Sequence, residues 1–388
     1  MADVWVHGWA STPFAKHPER DFRSLADEVL DPLDLSGLDG AWFGNCAMGV
    51  WGQGNIRGQT VLRRVVTEGV PIVNVEGGCA TGSAALQGAF QAVASGGATK
   101  ALAIGVEKTW VPHDPMKSFA LFLEGIDQRH PEEWQAFHTA QASEHGLEWA
   151  PHPKRILFLD LHALRAAAHA ERFGSTPEML AAVAAKNHTN AVDNPLAQYR
   201  FPMTIEQALA DKPVISPLTR AMCAPISDGA AAVLLSSEPP ASGPRIRLRA
   251  CAMAGGSWRG LHDQGVTHHA ARRAFAQAGL APGDIHLVEV HDATAFCELE
   301  ALEALGFFAP GDAGPATLSG VTAADGERPV NLSGGLESKG HPLGATGLGM
   351  VAELCDRLQP GQLGLAQNAG GVIGIDEALA GVTILEAC

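Results

Sequence analysis

Two segments more than 250 residues apart share one plan, and that plan constrains the fold more than any other feature. NVEGGCATGSAALQGAF (74–90) and NLSGGLESKGHPLGATGLGM (331–350) each run from a strand through a Gly-Gly turn into a helix rich in Gly and Ala. A second pair, WFGNCAMG (42–49) and EVHDATAF (289–296), reads as a strand ending in polar residues. The copies match Cys79 with the neighbourhood of His341, and Asn45 with His291. A chain with this repetition is expected to form two fused α/β halves, with both strand-to-helix turns at a shared interface.

The pattern around these segments fits that expectation. VWVHGWA, AWFGNCA, PIVNVEG and KALAIGVEKT read as strands of a first half, with a helix at about 80–96. RIRLRACAMA, IHLVEVHD, LGLAQNAGG and GVTILEA read as strands of a second half. Helices are expected at THHAARRAFAQAGL, ATAFCELEALEAL and about 344–358. Such alternation predicts βαβ units with mainly parallel sheets. The N-terminal half takes 1–111 and is completed by 226–240, where SDGAAAVLLSSE returns to strand character. The C-terminal half takes 241–388. Residues 112–225 read as an inserted cap, polar and Trp/His-rich at first, then forming two amphipathic helices.

With 388 residues and 46% apolar composition, the chain can bury more than one core. Its formal net charge of −15 disfavours nucleic acid and anionic lipid as partners, although local basic residues leave a polyanionic ligand possible. The N-terminus lacks a secretory pattern, and no run is apolar enough to span a bilayer. Seven scattered cysteines without metal-ligand spacing suit reduced thiols in a cytoplasmic protein, so no metal is expected.

Cys79 follows a strand and a double glycine where a helix begins. Helix-terminal N–H groups there favour a thiolate and a developing oxyanion; the alternative is a buried structural cysteine. His341, between Gly340 and Pro342, is a candidate base for that thiol, or else a histidine of a surface turn. His291 ends an apolar strand, where α/β folds bind ligands, or is a satisfied core histidine. Asp292 could orient it or cap the next helix. Asn368, Ala369, Gly370 and Gly371 follow a strand and offer a second oxyanion N–H. Cys46 and Cys223 read as structural. Lys339, Arg220 and Arg200 are possible phosphate contacts, with solvated charge the plainer reading.

Together VEGGCATGSAAL, KNHTNAVDNPLAQYR, VISPLTRAMCAPISDGAAAVLL, EVHDATAFCELEALEALG and NLSGGLESKGHPLGATG resemble the thiolase superfamily, of the sterol-carrier-protein X or lipid-transfer-protein type. The resemblance implies the duplicated, five-layer αβαβα thiolase fold with an inserted loop domain, and a tight homodimer. It implies an acyl thioester on Cys79, proton transfer to His341, and an oxyanion hole from the N–H groups of Cys79 and Gly370. His341 and a water on His291 would hold the thioester oxygen of the substrate. Acyl-coenzyme A and coenzyme A would be substrates, with no permanently bound cofactor.

One departure stands out. The second cysteine of ordinary thiolases, in CxGG, is here Asn368 in NAGG. The cysteine of the sterol-carrier type, in HDCF, is here Ala293 in HDAT. Cys297, about one helical turn on, is a weak substitute. Relatives lacking that cysteine often work with a small zinc-ribbon/OB-fold subunit, so such a partner is expected. The leading reading is a β-keto acyl-CoA thiolase. A retro-aldolase acting on β-hydroxyacyl-CoA and a non-catalytic acyl-CoA or lipid binder are the alternatives. Trp110, Trp134 and Trp149 would suit a bulky or aromatic acyl group, and core packing would explain them equally well.

Overall fold

The computed structural model describes residues 3–388. Nine strands form one strongly mixed sheet: β1 (Trp5–Ser11), β2 (Gly40–Gly44), β3 (Ile72–Val75), β4 (Lys100–Glu107), β7 (Gly229–Ser236), β8 (Ile246–Gly255), β9 (Leu287–Glu289), β10 (Leu363–Gly370) and β11 (Leu379–Ala387). The short strands β5 (Pro213–Ile215) and β6 (Leu218–Thr219) pair separately in the inserted region. The main order is β3-β2-β4-β7-β1-β8-β11-β10-β9.

The repetition in sequence is a repetition in topology. In the first half, β3 and β4 flank β2 in parallel, and β7 and β1 follow antiparallel. In the second half, β9 and β10 are parallel, with β11 and β8 antiparallel beyond them. A single parallel bridge from Val288 to Val330 supplies the position that β3 fills in the first half. Each Gly-Gly turn therefore follows the outermost parallel segment of its half. Only Trp5 and Val6 of β1 pair with Arg247 and Ile246 of β8, so the halves meet at a narrow joint.

Mainly parallel sheets, as the alternation suggested, are not what forms. Each half has two parallel and two antiparallel pairings. The link from β10 to β11 spans only residues 371–378, too short for a crossover helix, so the chain returns antiparallel.

Side-chain alternation builds five layers. On β4 and β7, Leu102, Ile104, Ala230, Ala232 and Leu234 face an outer core with Phe22, Leu25 and Val29 of the helix Phe22–Leu30. Their neighbours Ala101, Ala103, Ala231, Val233 and Leu235 face a central core. There lie the helices Thr81–Ala94 and Thr346–Arg357, the two helices that follow the Gly-Gly turns. On the far side, Ala250, Ala252, Val382 and Ile384 face a third core with the helix Val266–Ala278. Period-2 strands covered on both faces produce this arrangement.

The inserted region supplies the helices Pro131–Glu144, Leu157–Phe173 and Pro177–Asn190. Trp134 packs with Ile126 and Leu157, and Trp149 lies against that cluster. Among the described residues no helix is long and apolar enough to cross a membrane.

Candidate active site

Cys79 sits in the 3-10 turn Gly78–Ala80, immediately before the helix Thr81–Ala94. It is 9% exposed. Gly370, at the end of β10, lies against its backbone; a Cβ there would stand 2.2 Å from the Cys79 nitrogen. Only glycine admits that approach.

His341 comes from the matching turn of the other half. The short helix Gly335–Lys339 and Gly340, at φ +108°, deliver it, and its backbone N–H donates to Ser227 Oγ at 3.1 Å. His291 lies two residues past β9, its N–H donating to the Gln367 side chain at 3.0 Å. One side-chain ligand atom each of Cys79, His291 and His341 lies within 4.8 Å of the other two. The two imidazoles stand edge-to-face, 4.9 Å between centroids.

The surroundings assign the two imidazoles opposite tautomers. Thr346 Oγ1 donates its single proton to the Pro342 carbonyl at 3.0 Å, so it accepts from His341 Nδ1 at 2.7 Å. His341 Nε2 is left bare, buried and without a protein partner. Asn368 Nδ2 donates to His291 Nδ1 at 2.9 Å, while the Asn368 oxygen accepts from Ser83 Oγ at 3.1 Å. His291 therefore carries its proton on Nε2. One ring is a proton acceptor and its neighbour a hydrogen-bond donor.

Burial dominates the electrostatics. It pushes the Cys79 thiol up to about 12, with the Glu107 carboxylate adding to the rise. It pushes His291 down to about 4, and His341 well below the usual histidine range, helped by His291 and His162. The site rests as a neutral thiol beside neutral imidazoles, not as the thiolate expected from the helix terminus alone. Desolvation outweighs the helix dipole here.

One buried carboxyl ties the two halves together, and another ties the inserted region to the second half. Glu107, at the end of β4, accepts from Asn45 Nδ2 (2.7 Å), Cys46 N (2.9 Å) and Gly344 N (3.2 Å). Asp292 accepts from Leu336 N at 2.7 Å and Asn187 Nδ2 at 2.9 Å. Asp292 thus caps the helix leading to His341, not the helix Ala295–Ala304 that follows it. Lys339 is no phosphate contact: it is buried and pairs with Glu353 at 2.8 Å.

The trio opens on a cavity of about 60 Å³, walled by Phe122, Phe158, Leu159, Pro225, Ile226 and Val372. Trp110, Trp134 and Trp149 do not line it; packing accounts for Trp134 and Trp149. Cys297 lines a separate cavity behind His291 and bonds Thr294 Oγ1 at 3.2 Å. The trio is also the only cluster among the described residues with metal-ligand spacing. It suits a metal poorly, because His291 presents a protonated nitrogen. Sequence reasoning missed Thr346, Ser83, Ser227, Glu107 and His162. Only Thr346, five residues after His341 in the same motif, carried a local signal.

This architecture and site define an α/β acyl-transfer scaffold. Residues 25–239 match the thiolase N-terminal domain, and residues 258–387 the thiolase C-terminal domain-like family. The chain belongs to the thiolase family and is an acyltransferase of that family. It is 35% identical to an acetyl-CoA acetyltransferase of Methanothermobacter thermautotrophicus, over 98% of this chain and 97% of that one. It is 31% identical to human sterol carrier protein 2, over 97% of this chain and 69% of that one. It is 30% identical to the benzoylsuccinyl-CoA thiolase subunit BbsB of Thauera aromatica, over 90% and 87%. The Ltp2-ChsH2(DUF35) aldolase shares the fold with a TM-score of 0.74 at 21% identity, covering 100% of this chain and 98% of that chain. The Acat5 thiolase of Ascaris suum in complex with coenzyme A does so at 0.65 and 19% identity, with 100% of each covered.

Proposed function

We propose that the chain cleaves or forms β-keto acyl-CoA esters through an acyl-Cys79 thioester, with coenzyme A as acyl acceptor. The carrying observation is the bare, buried Nε2 of His341 grouped with the Cys79 thiol. His341 takes the thiol proton as sulfur attacks, so a high thiol pKa is no obstacle within the pair. The Cys79 and Gly370 backbone, pressed together at the mouth of a helix, faces the thioester oxyanion. His291 Nε2–H, set by Asn368, donates to the oxygen of the second thioester, where enolate charge develops.

Coenzyme A reaches the site along a neighbouring cavity of about 650 Å³ that shares Leu159, Ala224 and Pro225 with the Cys79 cavity. Its walls carry Tyr199, Phe201 and His188, with Arg220 at hand. The opening on the other side of Cys79 bears Glu76 and Glu124, which repel a polyanion.

The retro-aldolase reading rests on fold likeness to the Ltp2-ChsH2(DUF35) aldolase. The chain's single tyrosine, Tyr199, lines the outer cavity and not the one over Cys79. The nucleophile and its base are both present, which favours the thiolase reading. A DUF35-type, zinc-ribbon/OB-fold subunit remains the expected partner, by analogy with that complex. A homodimer is proposed too, supported by the open edge of β3, where Val73 is 46% exposed.

Mass spectrometry after mixing with acyl-CoA tests the reading. An acyl adduct on Cys79, lost in Cys79→Ala, supports it. Absence of any adduct across short, long and aromatic acyl-CoAs, with or without a copurified subunit, overturns it.

A further inference from the structure

The reaction proposed above needs a group that moves the proton at Cα, and neither cysteine position supplies one. Asn368 is bonded to His291 and Ser83. Ala293 has no proton to move. The Cys297 thiol lies outside the Cys79 cavity, and burial pushes it up to about 12.

The titratable groups lining the Cys79 cavity are Cys79, His162, Arg165, His291, His341 and Glu377. Cys79 carries the acyl group, and His341 Nε2 serves it. His291 presents a donor and has no free acceptor nitrogen. Glu377 is tied up in an ion pair with Arg165 at 2.6 Å. His162 remains.

We propose that His162 is the acid/base that moves the Cα proton when the C–C bond is made or broken; this rests on the acyl-Cys79 reading. It is the sixth residue of the cap helix Leu157–Phe173 and is 5% exposed. Phe158, Leu159 and Leu161 of that helix line the same cavity. His162 Nδ1 lies 3.5 Å from Thr294 Oγ1, in the turn after His291, which leaves Nε2 for the cavity. Burial holds the ring neutral at rest, down to about 3, so its nitrogen is unprotonated and takes a proton only against that burial; its place in the cavity carries the assignment. The cap thus supplies from above the group that other thiolases place within the halves.

In the condensing direction, the Cα–H electron pair forms the bond to the acyl carbon. The bond from that carbon to Cys79 sulfur breaks, and the Cα proton passes to His162. The thiolate and the imidazolium then neutralise each other by exchange with solvent. Cleavage runs through the same atoms in reverse, with the His162 imidazolium protonating Cα.

The test separates the two halves of the chemistry, using acetyl-CoA in D2O and the enzyme with any copurified subunit. Wild-type protein acylates Cys79 and exchanges Cα hydrogen for deuterium. His162→Gln still carries the acyl mass but loses exchange and C–C turnover by about 10²-fold or more. His162→Cys, which restores a thiol acid/base, recovers more exchange than His162→Ala. Wild-type exchange in His162→Gln, or equal loss in the Cys and Ala variants, overturns the assignment. Wild-type protein that acylates Cys79 with neither acetyl-CoA nor any longer or aromatic acyl-CoA overturns the thioester reading beneath it, a distinct result.

Discussion

Asn368 Nδ2 donates a 2.9 Å hydrogen bond to His291 Nδ1, so an amide 77 residues along the chain decides where the imidazole carries its proton. The Asn368 amide orients the histidine. Asn368→Asp reverses the polarity of that bond. A carboxylate accepts from Nδ1–H and turns a bare Nε2 toward the substrate oxygen. C–C turnover should fall by roughly 10²–10³-fold, the usual cost of one oxyanion donor, and the His291 15N shifts should show the tautomer change. Wild-type turnover in Asn368→Asp would refute the assignment.

Thr346 plays the matching part for His341. Thr346→Val removes the acceptor for Nδ1–H and frees the ring to place its proton on Nε2. The loss of one hydrogen bond, about 1–1.5 kcal/mol, should slow Cys79 acylation roughly tenfold. Thr346→Ser should retain most of the rate. Rapid-mixing measurement of CoA release reads both; equal rates in Val and Ser would contradict the role.

The pH profile should be displaced from that of a thiolate enzyme. The Cys79 thiol, at about 12, stays protonated across the working range, and His291, at about 4, stays neutral. Acidification removes activity only when His341, itself pushed down by burial, takes a proton. Acylation should therefore be flat from about pH 6 to 9, with its acid limb below the ordinary histidine value near 6.5. A limb centred at 6.5, or a steady rise through pH 8.5, would show the groups to be ordinary.

Two glycines mark where backbone meets backbone. A Cβ at Gly105 would lie 1.9 Å from the Gly344 carbonyl oxygen, and one at Gly370 2.2 Å from the Cys79 nitrogen. Gly105→Ala should destabilise by at least the ~1–3 kcal/mol typical of overpacking, because backbone cannot swing aside as a side chain can. Gly370→Ala should displace the nucleophile's turn and abolish acylation. Thermal melts and adduct mass read the two effects; an unchanged melt in Gly105→Ala would refute the first.

The duplicated strand–Gly-Gly–helix plan was legible in the chain, and with it the two halves, their central helices and the trio of Cys79, His291 and His341. Local rules suffice for the halves and helices, because the turn chemistry and the periodicity both lie within twenty residues; the trio stood out only when the long motifs were read together. Strand direction was not legible in the same way. The return of β11 against β10 depends on a link of eight residues whose path is set by packing.

The sequence by itself determined the family and the paired α/β halves, and singled out one sulfur and two imidazoles as candidates, because those are written in contiguous motifs. Tertiary structure alone decided how His291 is protonated and why the thiol rests neutral. Asn368 is 77 residues from His291, and Ser83 another 285 from Asn368. Hydrogen-bond donors and burial act through space, and chain separation leaves no pattern from which to read them.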